Sequence, residues 1–438
     1  MQIGKYKINK VYLGADSVDS IYLGDTQVFK DYSKDYLQLI VKHSGYIVWH
    51  LSGLTAEYKL NNGEWLQMDE NTQINVQEGD VVRFKGTNES YGRNKPETGR
   101  HFDFGNSCEF DIAGNIMSLE YGDNFIGKTT LEDNYSFEQL FNGCLNTIDA
   151  SNLILPAASV TLSAYYRLFQ NCRALKYPPV LPATVIGPGA YSGLFTECNS
   201  LEIAPKLPAT QIEYNCYQDM FYNTALKEAP ALPATVLAKE CYRNMFGYCT
   251  QLVKAPELPA LTVPDGAYYS MFGNCSSLAQ APELPATTVG VESYRNLFVG
   301  CGLTKAPELP ATNLANSCYY QIFANNANLT EGPSSLPATT LAPGCYRGMF
   351  ASCGNLTKAP ELHAKTLVSN CYYRLFRNCS SLNRIVCLAE EGFDANTALT
   401  SFTEGVAASG TFVKSANATG WTTGINGIPA NWTVEDAS

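Results

Sequence analysis

A Leu-Pro signal opens a unit that recurs every 25 to 27 residues along most of the chain. It begins at Leu155, Leu181, Leu207, Leu232, Leu258, Leu284, Leu309 and Leu336, and Leu362–His363 is a ninth, degenerate copy. Phenylalanines keep step with it at Phe141, Phe169, Phe195, Phe221, Phe246, Phe272, Phe298, Phe323, Phe350 and Phe376. Self-similarity at a period of roughly 20–50 residues is the signature of a solenoid, because one unit cannot bury its apolar face alone and must stack on its neighbours.

With each Phe as origin, further columns align. Tyr stands four residues earlier in nine copies, from Tyr165 to Tyr372. One residue earlier stands Leu, Met or Ile; five earlier stands Cys, Ala or Ser; three later stands Cys, or Thr224 or Asn326. At ~100° per residue these positions share one arc of a helix. A stretch such as "CYRGMFASC" therefore reads as a short amphipathic helix, too short to stand alone in water and held by stacking. The other half of the unit, as in "LTKAPELPAT", carries two prolines. Proline cannot donate to a strand ladder, so any strand must be short and confined to the Leu-x-x-Ala part, with the rest extended. The expected fold is an α/β repeat solenoid with a short helix and a short strand or extended segment per coil, preceded by an antiparallel all-β domain.

Thirteen of the fifteen cysteines lie in two columns. Cys144, Cys172, Cys198, Cys249, Cys275, Cys301, Cys353 and Cys379 follow the Phe by three residues; Cys216, Cys241, Cys318, Cys345 and Cys371 precede it by five. Ala, Ser, Thr and Asn fill the same columns in other copies. Disulfide partners and metal ligands do not trade with alanine from copy to copy, whereas small buried side chains do. The total is odd, and no Cys-x-x-Cys or zinc spacing occurs. These cysteines read as packing.

The frame "[M/L]F-x-x-C-x-x-L" followed by Ala-Pro resembles the bacterial surface leucine-rich repeats of the BspA-like family over about residues 131–388. The segment "KVYLGADSVDSIYLGDTQVF" (residues 10–29) holds two aromatic-Leu-Gly units and is similar to N-terminal attachment segments of tailed-phage virion proteins, particularly those of gut Bacteroides-type phages. The run from residue 410 to 438 resembles the end piece that follows such repeats. Together with the strand pattern described next, these resemblances give an attachment segment at 1–32, an antiparallel sandwich-like domain at 33–128, a solenoid of about ten coils at 129–388 and a C-terminal cap at 389–438.

Within 33–128, segments such as "LQLIVKH" and "GYIVWHL" alternate apolar and polar residues between Gly and Asn turns, the pattern of antiparallel strands. Trp49 and Trp65 are candidates for stacking on sugar, or are packing. The four histidines, His43, His50, His101 and His363, belong to no nucleophile or metal motif. Glu257, Glu283, Glu308 and Glu361 form a column that suits paired-carboxylate chemistry, but Lys254, Lys305 and Lys358 three residues before three of them suggest a balanced surface row. The chain is read as not an enzyme, with no cofactor and no metal.

Net charge is −11 and no segment has the basic excess that nucleic-acid binding needs, which argues against nucleic acid as a partner. No run of 18 apolar residues appears, so no membrane insertion is expected. The first residues lack an apolar run of signal-peptide length, which leads to the expectation of a protein made in a cytoplasm and carried on a virion, or alternatively placed on a bacterial cell surface.

One column remains. Three residues before the Phe, successive copies read Arg243, Tyr269, Arg295, Tyr320, Arg347, Tyr373. By helical arithmetic this column faces solvent. Two readings stand: a structural ladder of guanidinium on phenol, or a gripping surface made of the residue types that dominate binding hot spots. Basic residues cluster at 345–384, and acidic ones, Glu390, Glu391, Asp394 and Glu404, follow; this is coil-to-cap pairing or an anion-binding patch. The candidate binding surface is Arg243, Tyr269, Arg295, Tyr320, Arg347, Tyr373, Arg374 and Arg377. The function expected is a virion fibre or tail-associated structural protein that attaches a phage to its host. Its partners would be other virion proteins through the N-terminal segment, a bacterial surface glycan or protein receptor, and further copies of itself as a dimer or trimer. The alternatives are a bacterial adhesin or glycan-binding protein, and a glycan-degrading tail protein.

Overall fold

The computed structural model describes residues 2–3, 6–7, 11–13, 16–18, 20–23, 26–50, 53–70, 72–91, 102–103 and 108–437. His101 and part of the 10–29 segment lie outside these residues. By compactness the chain divides into one unit of residues 1–184 with 198–206, and a second of 185–197 with 207–438. Each is described by itself.

The first unit opens with antiparallel strand pairs, Val11–Leu13 with Asp16–Val18 and Ser20–Leu23 with Thr26–Lys30. A six-stranded sheet follows in the order Leu66–Met68, Ala56–Leu60, Val81–Gly86, Leu37–His43, Glu109–Asn115, Asn152–Ile154. Its pairings are antiparallel except the last, which is parallel and takes the sheet into the first coil. A smaller sheet of Thr72–Val76, Gly45–Trp49 and Phe102–Asp103 meets it through Trp49, edge-on to Phe84 at 5.7 Å. From Trp49 the rings continue as a stack through Tyr91 (5.6 Å), Phe137 (6.0 Å) and Tyr165 (6.0 Å). The core of the β domain and that of the first coils are thus one aromatic column, and no boundary falls near residue 128.

The second unit is β-solenoid throughout, and here the expected helix is absent. Among the described residues α-helix is confined to Ser118–Tyr121. The segments around each Phe are instead chains of tight turns. Around Phe221, the amides of Gln218, Met220 and Tyr222 bond three residues back, to Asn215, Tyr217 and Asp219; the alternate amides of Tyr217, Asp219, Phe221 and Asn223 bond across to Cys241, Arg243, Met245 and Gly247 of the next coil. Half of the N–H groups therefore close turns and half tie coils together, whereas an α-helix would spend them all on itself. Every fourth residue is left-handed, as at Asn215 (φ 54°), Asp219 (φ 54°) and Asn223 (φ 55°). The true period is thus 4, not 3.6, and it keeps Tyr and Phe on one inward line instead of drifting about 40° per step.

The inward columns are the core. Each Tyr of the column is no more than 2% exposed and the Phe column is fully buried. Phe rings of neighbouring coils stack at 5.6–6.1 Å from Phe195 to Phe376. The opposite side is nearly strandless, as the prolines demand. The Leu-x-x-Ala part contributes single bridges, such as Lys305 to Glu331 and Glu331 to Lys358. Two-residue parallel strands fall mainly after the second proline, as where Thr262–Val263 pairs with Thr288–Val289. Residues expected to form a separate cap continue the ladder: Thr411–Lys414 pairs in parallel register with Arg384–Cys387 of the last coil, and Thr433–Asp436 with Thr411–Lys414.

Candidate functional site

All fifteen cysteines are buried and none is in a disulfide. Those following the Phe by three residues do more than fill space. Cys172, Cys249, Cys275, Cys301, Cys353 and Cys379 each donate Sγ–H to the carbonyl of the preceding coil's Phe at 3.0–3.1 Å. Asn326 does the same through Nδ2 to Phe298 O at 2.7 Å, and Thr224 bonds Phe221 O at 3.0 Å. Cys, Asn and Thr share the column because each is a small donor. Burial pushes the Cys301 and Cys353 thiols up to about 12, so at neutral pH they carry no nucleophilic thiolate.

The histidines and carboxylates are dispersed. His43 Nδ1 lies 3.1 Å from Glu109, and His363 Nε2 lies 3.7 Å from Glu361. The lysines expected to balance the Glu column serve another residue: Lys305 and Lys358 both reach Glu331, whose carboxyl is held below its ordinary value chiefly by the hydrogen bond from Lys358. Glu308 instead accepts from the Ser334 backbone and hydroxyl. Trp49 is fully buried and cannot reach a sugar. Trp65 is half-buried, with Lys85 Nζ 4.6 Å over its ring and Tyr36 edge-on at 5.0 Å.

The remaining sequence candidates come together on the outer surface of the turn ribbon. Arg243 lies 4.2 Å from the centroid of Tyr269; Arg295 sits between Tyr269 (5.4 Å) and Tyr320 (4.3 Å); Arg347 sits between Tyr320 (5.3 Å) and Tyr373 (4.4 Å). Arg374 adds a contact with Tyr373 at 4.9 Å. These six column residues are half-buried, not solvent-facing as helical geometry required, because each guanidinium shields the rings beside it. Arg377 is drawn aside by Glu404 at 3.1 Å. Sequence reasoning missed the carboxylates that accompany the ladder: Glu240 reaches Arg243 at 3.5 Å, and Glu292 pairs with Arg295. Their signal was a Glu three residues before each of those arginines, at a left-handed turn position.

This arrangement offers cations and phenol rings in a repeating row. No family model matches the sequence, and no curated protein does. Among solved structures the chain is similar to a leucine-rich repeat protein from Bacteroides ovatus ATCC 8483, at 16% identity and a TM-score of 0.39, over 75% of this chain and 85% of that one. The coils and ladders of the chain itself define its class, a β-solenoid repeat protein.

Proposed function

We propose that this is a non-enzymatic virion fibre or tail-associated protein, whose solenoid recognises the bacterial host surface and whose first residues join it to other virion proteins. The observation that carries the reading is the alternating Arg–Tyr row, since a repeat protein presents its ligands with residues recurring along one surface, and Arg and Tyr are the types that concentrate binding energy. The resemblance of residues 10–29 to phage attachment segments, and of the repeat to BspA-like surface proteins, supports the same role. A glycan or protein receptor and a dimeric or trimeric assembly belong to this proposal. The test is mass spectrometry of purified virions, together with binding of the full chain to host cells. Absence from the particle would leave the adhesin reading in its place. Replacing Arg295 and Tyr320 together by Ser should abolish cell binding; a purely structural ladder would lower stability and leave binding intact.

A further inference from the structure

The positive charges at the end of the ladder are not all taken. Of the six basic residues between 345 and 384, four meet carboxylates: Lys358 meets Glu331, Lys365 meets Glu390, Arg377 meets Glu404 and Arg384 meets Glu435. Among the described residues no carboxylate lies within ion-pair distance of the other two, Arg347 and Arg374, although the Arg374 charge still acts on Glu404. Both lie against the same ring, Tyr373.

The chain itself shows what is missing. Arg243, Arg295 and Arg347 occupy one column in every second coil. The residue three before each is Glu240, Glu292 and Gly344, in the same left-handed conformation (φ 54°, 53° and 64°). In the first two coils the glutamate turns onto its arginine. In the third there is no side chain to do so. Arg347 has Tyr320 and Tyr373 over it, and its Nε, like that of Arg295, is buried without a partner, so only the Nη side of its guanidinium is left to donate. That edge matches a carboxylate.

We propose that Arg347 and Arg374 form an anion site that takes a carboxylate from an acidic polysaccharide, in the place that Glu240 and Glu292 occupy beside their own arginines. This names the ligand class for the recognition surface proposed above and rests on that reading. A glycan is favoured over a protein by the surroundings. Ser317 Oγ lies 3.1 Å from where a Cβ on Gly344 would stand, and the Gln321 side chain reaches within 3.5 Å of the same point on Gly348. These are hydroxyl and amide partners for sugar hydroxyls. Among the described residues no large hydrophobic is exposed between Val291 and Ile425, which leaves a protein partner no apolar anchor there.

The experiment is calorimetric titration of the full chain, at low salt, with a hexamer of galacturonate, a neutral glucose hexamer and a hexaglutamate peptide. The wild type should bind the galacturonate hexamer and not the neutral one. Gly344→Glu should weaken binding about tenfold or more, by supplying the carboxylate internally. Its melting temperature should fall only modestly: Gly344 is left-handed (φ 64°) and an added Cβ meets Ser317 Oγ at 3.1 Å, but Glu is accommodated at the same turn position at 240 and 292. Should Gly344→Glu fold poorly, Arg374→Ser decides instead, because Ser already fills the equivalent position at Ser270. No binding by the wild type, or unchanged binding by the variants, would overturn the site. Hexaglutamate binding as tightly as the uronate would overturn the glycan assignment. Cell attachment is read separately: its loss with uronate binding intact would sink the attachment reading and leave the site standing.

Discussion

Phe298→Ala tests the core of the solenoid. Phe298 is fully buried in mid-array, stacked on Phe272 at 5.6 Å and on Phe323 at 6.1 Å. A buried Phe removes about 200 Å² from water, which at ~25 cal/mol/Å² corresponds to about 5 kcal/mol; partial collapse of the cavity and retention of Cβ bring the expected loss to about 3–5 kcal/mol. The loss falls at one point, since a coil contacts chiefly its neighbours. Coils flanking 298 should therefore open before the rest, and the melt should become multi-step. Urea unfolding followed by tyrosine fluorescence, combined with hydrogen exchange read by mass spectrometry, would report both effects. Protection should disappear first in peptides spanning about residues 270–325. An unchanged unfolding curve would refute the Phe column as the core, and a uniform single-step loss would refute nearest-neighbour stability.

Three further outcomes are expected. Asn274 holds a left-handed turn position (φ 62°), so Asn274→Ala should destabilise by about 1 kcal/mol while Asn274→Gly is nearly neutral; a helix at this site would give the opposite order in thermal melts. The column cysteines should resist a thiol reagent at pH 8 until denaturant is added, and Cys353→Ala should cost about 1 kcal/mol through its lost contact and Sγ–H donor, so rapid native labelling would contradict their burial. Burial raises the Glu120 carboxyl to about 7, and its Oε1 has no partner. The folded state then holds this proton up to about pH 7 while the unfolded chain releases it near 4.5, so this contribution to stability is lost as pH rises from 4.5 through 7. Glu120→Gln should remove that slope, worth on the order of 2–3 kcal/mol, between urea titrations at pH 5 and pH 8; an unaltered slope would mean that the carboxyl is not buried.

The solenoid and its inward columns were legible in the sequence because stacking forces identical environments on successive copies, so Tyr242, Phe246 and Cys249 announce their burial by recurrence alone. The alternation of Arg243, Tyr269 and Arg295 was visible for the same reason. The turn ribbon was misread as helix because spacings of −5, −4, −1, 0 and +3 fit a period of 3.6 almost as well as 4 over so short a segment. The discriminating signal lay outside the apolar columns, in the recurrence of Asn171, Asn223, Asn274, Asn325 and Asn378, with Gly143 and Gly300, two residues after the Phe, where a left-handed backbone tolerates them best. Tertiary structure alone decided the rest. Hydrogen bonds between coils, such as Asp219 N to Arg243 O, make the turn ribbon preferable to a helix, and their partners lie about 25 residues away. The donor role of Cys275 appears only when Phe246 O is brought beside it. That Arg347 and Arg374 have no carboxylate at ion-pair distance emerges only in the folded chain, where Glu404 and Glu435 make their direct pairs with Arg377 and Arg384, because charge pairing depends on position in space, not on order along the chain.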